Sequence, residues 1–272
     1  MTVKRSASYE PISKISGGRR YSFYTTGQRV LFYRLHADNG RHDFVTGSRV
    51  FGPNVFSRCQ ATNAHSDTGP HHRYSVGLLF DNVHAGQSRV WDRACSGSGH
   101  GWSGAAVVWW NGEADGDRMA GGREGNLRID SPPIVGAYNY AIGTSTQLLT
   151  GGTGVIDSLN VPVSPASLFE AQTAAKHAAA INTTNANTNT NITTTNNATI
   201  VTISPTTTTI DTATSESPPF TVNVSSAQAL LSTVASARAG DVIGVEAGHY
   251  LLPRDLDITT NGITVIAVEP GE

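Results

Sequence analysis

The sequence has little charge and no long apolar run, and both absences restrict the partners expected for the chain. Charged residues make up 15% of its 272 residues, and the formal net charge is -2. A nucleic acid or an anionic membrane surface would require a surplus of basic residues, so neither is expected as a partner. A helix needs roughly 20 consecutive apolar residues to cross a bilayer. The apolar runs here are much shorter, so no membrane span is expected.

Cysteine is also scarce, and the first residues lack the features of an export signal. Cys59 and Cys95 are too few for a disulfide framework. They can pair with each other, or both can be buried thiols in a stacked core, which is the favoured interpretation because free cysteine is usually buried. The first twenty residues are polar and basic, without the apolar stretch of a secretory signal. Residues 1–19 are therefore interpreted as a disordered or truncated start.

Glycine, in contrast, is abundant, and it separates short apolar runs that recur along the chain. The 28 glycines permit tight turns with positive φ. Aligning the runs at Leu31, Val55, Leu78 and Val107 gives steps of roughly 23 to 29 residues, within the range of repeat proteins. No strong helical periodicity lies between the runs. Residues 20–147 are therefore predicted to form stacked β-strand repeats, an all-β solenoid.

The rest of the chain divides into a polar linker and a short second β segment. Residues 148–219 form a low-complexity linker, because their Thr- and Asn-rich core has few large apolar groups to offset the entropy of ordering. An Ala-rich stretch at 167–181 predicts a short helix within it. Residues 220–272 read as a strand, an amphipathic helix and two further strands. The apolar residues at helical spacing are Ala227, Leu230, Leu231 and Val234.

These segments resemble right-handed parallel β-helix proteins of the pectin-lyase-like superfamily, the secreted polysaccharide-active type. Residues 220–272, with Ala-Gly-Asp-Val-Ile at 239–243 and Ala-Gly-His-Tyr at 247–250, are similar to the N-terminal cap and first coil of such proteins. Residues 20–147 are similar to their later coils. The phrases that carry the second likeness lie at 39–44, 52–56, 67–73 and 99–102.

The order of these segments is reversed, since late coils come first and a cap comes last. The chain therefore looks like the end of one β-helix followed by a partial second one. The resemblance implies a monomeric carbohydrate-active protein that works outside the cell or at its surface.

A cluster of His, Arg and Asp residues falls in turns that are equivalent in successive repeats. Neighbouring strands of a sheet lie about 4.7–4.9 Å apart, so residues far apart in sequence would line one stripe. The members of this stripe are Arg41, His42 and Asp43 in one turn, Asp67, His71, His72, Arg73 and Tyr74 in the next, and His100 and Trp102 in a third.

The resemblance implies an acidic polysaccharide as the partner, and β-elimination is the natural chemistry for a uronic-acid polymer. Arg41 or Arg73 can neutralise the C5 carboxylate, because Arg offers it a bidentate fork. His71 or His72 can remove the C5 proton, because His titrates near neutral pH, and His42 is a further catalytic candidate. The residues expected to contact the sugar are Asp43, Asp67, Tyr74 as donor to the leaving oxygen, His100 and Trp102.

Other chemistries stay open for the same residues. Hydrolysis needs paired carboxylates, for which Asp43 and Asp67 are candidates. The turn at 67–73 can also serve only to hold a long loop together. His71, His72 and Asp67 can be metal ligands, but no helix-spaced ligand pair occurs, so no metal is assigned and any cofactor is unknown.

Three hypotheses for function follow. The first is a carbohydrate-active enzyme, a polysaccharide lyase on an acidic polymer. The second is a non-catalytic β-helix that binds glycans or serves as a structural module of the cell surface. The third is an incomplete gene fragment without independent activity, which the reversed order and the missing export signal favour.

Overall fold

The computed structural model describes most of the chain and divides it into two compact units. The described residues are 1–71, 73–93, 101–102, 104–132, 137–186, 194–195, 198–199, 222–246, 250, 252, 256–260 and 262–267. The first unit comprises Met1–Phe169 together with Phe220–Glu272, and the second comprises Glu170–Pro219.

The described residues are mostly β. In chain order the elements are β1 (Thr2–Lys4), β2 (Ala7–Ser8), β3 (Tyr21–Thr25), β4 (Leu31–Tyr33), β5 (His36–Asp38), β6 (His42–Thr46), β7 (Phe51–Ser57), β8 (Gln60–Thr62), β9 (Gly69–Pro70), β10 (Ser75–Asp81), β11 (His84–Ala85), β12 (Gln87–Val90), β13 (Asp92–Arg93), β14 (Gly101–Trp102), β15 (Gly104–Trp110), β16 (Glu113–Ala114), β17 (Asn126–Ile129), β18 (Tyr140–Ile142), β19 (Ser145–Thr146), β20 (Val155–Asp157), α1 (Leu168–Ala186), β21 (Thr194–Thr195), β22 (Ala198–Thr199), β23 (Val222–Val224), α2 (Ala227–Ser236), β24 (Val242–Val245) and β25 (Thr264–Ala267).

Long parallel sheets make up the first unit. The first sheet has ten strands in the order β20-β18-β15-β10-β7-β4-β1-β25-β24-β23, and the second has six in the order β19-β16-β11-β8-β5-β2. A third side is formed by the sheet β3-β6-β9 and the pair β12-β17. The chain visits the three sides in a fixed order: β4, β5 and β6, then β7, β8 and β9, then β10, β11 and β12. Each of these three circuits adds one strand to each side. The expectation of a β-rich fold with long parallel sheets is confirmed.

The strand register agrees with the sequence repeat except at one step. Leu31 pairs with Val55, and Leu78 with Val107, as aligned. Val55, however, pairs with Leu79, one residue beyond the aligned Leu78, and the register shifts between Val76 and Leu78. The residue beside Leu78 is Asn54, which is buried and therefore invisible to a hydrophobic alignment.

The buried side chain of Asn54 stabilises the turn before β4 by hydrogen bonds to its backbone. Its side-chain oxygen accepts a hydrogen bond from the Val30 amide at 2.9 Å, and its amide group donates to the Gly27 carbonyl at 3.0 Å. These bonds satisfy backbone groups that would otherwise be buried without a partner.

A stack of aromatic rings forms the centre of the core. Phe32, Phe56, Phe80 and Trp109 occupy equivalent positions of β4, β7, β10 and β15. Successive ring centroids are 4.8, 5.0 and 4.3 Å apart, and the rings are nearly parallel. Small residues face the stack from the second sheet: Ala37, Ala61, Ala85 and Ala114, all fully buried.

The ends of the described chain meet inside the first sheet. β1 lies between β4 and β25, and all three strands are parallel. Residues 1–19, expected to be disordered or a truncated start, thus contain β1 and β2. Residues 220–272, expected to be a partial second β-helix, contribute three strands to the same sheet as residues 20–147. The difference arises because parallel strands pair by edge and register, which do not follow chain order.

Helix α2 packs on the sheet end formed by β23 and β24. Its N-cap is Ser226, whose hydroxyl accepts a hydrogen bond from the Ala229 amide at 3.1 Å, and serine is a preferred residue at this position. Leu230 and Val234 are buried against Ile243. The helix therefore covers apolar surface at the end of the unit.

The segment 148–219 is not one continuous linker. Its start contains β20, which pairs with β18, and the predicted Ala-rich helix is present as α1. Most of the Thr- and Asn-rich tract lies outside the described residues. None of the described helices is both long enough and apolar enough to span a membrane.

Cys59 is a free thiol in the core, which confirms the buried interpretation for this residue. Burial raises the pKa of its thiol to about 12. Cys95 lies outside the described residues.

Candidate functional site

The predicted stripe of polar residues is centred on the third side of the first unit. Tyr21 and His42 are the first residues of β3 and β6, and they pair in register. His71 directly follows β9, and its amide donates to the Thr46 carbonyl at 3.3 Å. Three successive circuits therefore bring one tyrosine and two histidines together.

Tyr21 and His71 are in direct polar contact. The phenolic oxygen lies 2.8 Å from Nε2 of His71, and both side chains are partly exposed. The ring of His42 is 4.3 Å from that of His71 and 4.9 Å from that of Tyr21, between centroids. This is a hydrogen-bonded acid–base pair packed on a third titratable ring.

His42 supports this pair from the buried side. Its side chain is 2% exposed, and Nδ1 lies 2.8 Å from the Asp67 carbonyl oxygen and 3.6 Å from the Asp67 carboxylate. Because both oxygens are acceptors, Nδ1 carries a hydrogen and donates to the carbonyl. The contact fixes the orientation of the imidazole, in the way that a histidine is usually held by the bond of its second nitrogen.

Asp43 lies beside His42 in β6 and is fully buried. Its Oδ1 accepts a hydrogen bond from Ser22 at 2.7 Å, and Oδ2 has no hydrogen-bond partner within the described part of the chain. Burial raises the pKa of this carboxyl group to about 7, against the smaller opposing effect of the Ser22 bond. Gly40 is required here, because a side chain at that position would collide with Oδ1 of Asp43.

Arg20, Arg41 and Arg73 lie within two residues of the tyrosine or the histidines of this site in the sequence, and their side chains differ in exposure. Arg73 is exposed two residues after His71. Arg41 donates to the Gly17 carbonyl, and Arg20 donates to the Asn39 carbonyl at 3.1 Å. Of these three arginines, Arg73 is the most exposed.

The remaining predicted residues fall in different places. Tyr74 lies in the turn before β10, with a left-handed φ of 64°. Trp102 belongs to β14, which pairs with β13 in antiparallel fashion. Asp67, at 6% exposure, is as inaccessible to a bound sugar as Asp43. The predictions for His72 and His100 lie outside the described residues.

Tyr21 is the member of the site that the sequence reasoning missed. The dipeptide Arg20-Tyr21 occupies the position one circuit before Arg41-His42, and aligning those two would have found it. The recurring apolar runs start at Leu31, so this repeat does not cover the circuit that contains Tyr21.

A metal centre has no candidate in the described residues, which hold no cluster of three or more potential His, Cys, Asp or Glu ligands. The chain matches no protein-family model, no curated protein and no solved structure. Interpretation of the site therefore rests on its geometry.

Proposed function

We propose that this chain is a carbohydrate-active protein with a right-handed parallel β-helix fold, and that it acts as a polysaccharide lyase on an acidic polymer outside the cell or at its surface. The observation that carries the proposal is the 2.8 Å contact between Tyr21 and His71 at a partly exposed position. The circuits of three parallel strands support the fold, and fold alone does not define the activity.

The pair supplies both proton transfers that β-elimination needs. With the phenol donating to Nε2, His71 takes the Tyr21 proton, and the phenolate removes the C5 proton of the uronate. The electrons of the C5–H bond form the C4–C5 double bond, and the C4–O bond breaks. The imidazolium of His71 then gives its proton to the departing glycosidic oxygen, so that both side chains return to their starting forms.

The carboxylate of the sugar must be neutralised for its C5 proton to become acidic. Arg73 fits this role, because it is exposed and lies close to His71 in the chain. A guanidinium binds a carboxylate through two parallel hydrogen bonds. We assign the predicted arginine role to Arg73 in preference to Arg41, because Arg73 is the more exposed of the two.

Glycoside hydrolysis is less well supported. It needs two carboxyl groups that reach the glycosidic bond from either side. Asp43 and Asp67 are 0% and 6% exposed, so neither can contact a polymer bound at the surface.

The test is the appearance of unsaturated uronide, measured by its ultraviolet absorbance, when the protein is incubated with polygalacturonate, alginate or a glycosaminoglycan. Tyr21→Phe and His71→Ala should each lower the rate by about 100-fold or more. Tyr138→Phe is the matched control, since Tyr138 is 46% exposed and distant from β3 in sequence. Thermal unfolding of each variant verifies that the fold is retained.

Non-catalytic glycan binding is the second candidate. The rings of Tyr21 and His71 pack against His42 and are partly exposed, so they can contact a sugar without any proton transfer. It predicts retention of the polymer without any unsaturated product. Turnover in the wild type that is unchanged in both Tyr21→Phe and His71→Ala would reject the site.

A further inference from the structure

One turn recurs with the same backbone geometry in six circuits, between the first and second sheets. Its residues have φ near 50°, in the left-handed region, and each amide donates to a carbonyl of the next circuit at 2.8 to 3.0 Å. The residues at this position are Arg5, Arg34, Arg58, Asn82, Asn111 and Gly143.

The first three positions carry arginine, and all three side chains are exposed. The amide of Arg5 donates to the Tyr33 carbonyl, and that of Arg34 to the Ser57 carbonyl. Adjacent arginines are therefore one strand spacing apart, about 4.7–4.9 Å. We call Arg5, Arg34 and Arg58 the arginine ladder.

The backbone conformation of this turn does not require arginine. A left-handed φ favours Gly and Asn over long side chains, and the same turn uses Asn82, Asn111 and Gly143 in later circuits. Like charges on directly neighbouring strands repel each other. Arg20, Arg29 and Arg49 also have a left-handed φ, so this turn differs from other turns of the chain by carrying three arginines on directly neighbouring strands.

The later positions of the turn show what such side chains can hold. Asn82 donates to the Ala166 carbonyl at 2.8 Å, and Asn111 donates to the Val163 carbonyl at 2.8 Å. An extended segment of the chain, residues 163–168, therefore lies along this edge and is bound by successive circuits. The edge is suited to a linear ligand that runs across the strands.

The charge distribution favours an anionic ligand. Residues 1–74 contain eleven Lys or Arg and four Asp or Glu, a formal charge of +7. The rest of the chain contains eight Lys or Arg and seventeen Asp or Glu, a formal charge of -9. The overall net charge of -2 therefore conceals a basic N-terminal part. Arg34 is also held in place, because its guanidinium lies 5.1 Å from the centroid of the Tyr33 ring.

We infer that the arginine ladder is a binding track for an acidic polysaccharide, separate from the Tyr21–His71 pair. The strand spacing is close to the length of one sugar unit in an extended polymer, so each arginine can face one acidic group. The inference shares the ligand class of the proposed function but does not depend on catalysis.

The test compares the ladder variant Arg5→Asn/Arg34→Asn/Arg58→Asn with the wild type. Asn is the residue that this turn already uses, so the backbone conformation is kept. The control is Arg19→Gln/Arg123→Gln/Arg238→Gln, which removes three exposed arginines at scattered positions. The probes are polygalacturonate for carboxylate, heparin for sulfate, dextran as a neutral polymer and single-stranded oligothymidylate.

The ladder variant should bind polygalacturonate or heparin about tenfold or more weakly than the wild type, with a shallower dependence of affinity on salt. The control should lose much less affinity. Equal losses in the two variants would show attraction by net charge alone and overturn the inference. It is also overturned if the wild type binds no acidic polysaccharide, binds dextran equally or binds the oligonucleotide more tightly.

Failure of this inference can be told apart from failure of the proposed function. Tyr21→Phe should abolish turnover, and it should leave polygalacturonate binding within about twofold of the wild type, since it removes one uncharged hydroxyl and leaves the arginine ladder intact. Loss of binding in the ladder variant without any turnover in the wild type would support the track and reject the lyase.

Discussion

Val3 lies directly beside Val265 in two neighbouring parallel strands. Val3 belongs to the core of residues 1–169, and Val265 belongs to the core beneath helix α2. This pairing joins the first strand of the chain to the segment that follows the linker.

Val265→Ala should destabilise residues 1–169 as well as its own segment. Both valines are buried, and loss of two methyl groups should lower the free energy of unfolding by about 1–3 kcal/mol. All four tryptophans lie between residues 91 and 110. Their fluorescence therefore reports the unfolding of residues 1–169 and not that of the segment containing Val265. In urea, the fluorescence midpoint should fall.

Val222→Ala is the control for this experiment, because Val222 is 43% exposed on β23. It should leave the midpoint nearly unchanged. A tryptophan transition that does not respond to Val265→Ala would mean that the two segments unfold independently. Absence of any cooperative transition in the wild type is the result that the gene-fragment hypothesis predicts.

Phe80→Ala should be among the most destabilising single substitutions. The Phe80 ring stacks between Phe56 and Trp109, and its removal leaves a cavity that the neighbouring circuits cannot fill. The expected loss is about 3–5 kcal/mol. Phe51→Ala, at a position 54% exposed, should cost less than about 1 kcal/mol. Urea unfolding at a fixed pH measures both.

Asp43 should make the folded state less stable as the pH rises. Its pKa is about 7 in the folded protein, against an ordinary value of 3.8, mainly because of burial. The folded state therefore holds this proton more tightly than the unfolded chain does. The resulting stability is complete below about pH 4 and is lost progressively as the pH approaches and passes about 7.

Asp43→Asn should remove this dependence, because the amide resembles the protonated carboxyl group and does not ionise. Between about pH 5 and pH 8, the wild type should lose stability by several kcal/mol relative to this variant. Asp157→Asn is the control, since Asp157 is exposed. If the wild type and Asp43→Asn show parallel curves of urea midpoint against pH, the buried carboxyl group does not titrate in this range.

Asp81 should hold the segment of residues 163–168 against the first sheet. Its buried carboxyl group accepts hydrogen bonds from Ser57 at 2.9 Å, from Ser167 at 2.5 Å and from the Leu168 amide at 2.9 Å. Asp81→Ala leaves these donors unsatisfied, and we expect a loss of about 3 kcal/mol or more. Ser167→Ala removes one of these donors to Asp81 and leaves the others, so a smaller loss of about 1 kcal/mol is expected.

Limited proteolysis distinguishes a local from a global effect at Asp81. If the segment is held mainly by this carboxyl group, cleavage near residues 163–168 should accelerate in Asp81→Ala at temperatures where the tryptophan signal is still native. Unchanged cleavage in that segment would show that the bonds of Asn82 and Asn111 to it are sufficient.

Much of the local structure could be predicted from the sequence. Helix α2 and the buried thiol of Cys59 follow from patterns within a few residues, and the pairing of Leu31 with Val55 follows from the repeat of the apolar runs. The register of β10 against β7 could not be predicted, because the inward residue of β7 is Asn54, which forms hydrogen bonds to turn backbone in place of apolar contacts. The site was predicted in part: His42 and His71 meet, but Tyr21 supplies the tyrosine, and Asp43 is buried.

The sequence by itself determined where strands and turns occur, because alternation of apolar residues and the positions of Gly and Asn are local properties. Only the tertiary structure decided that β25 lies beside β1 and that Tyr21 reaches His71. Those contacts depend on which strand edges are complementary and in which register they meet. Since backbone hydrogen bonds between parallel strands are nearly independent of side-chain identity, no local pattern encodes the partner, and burial of the shared core selects it.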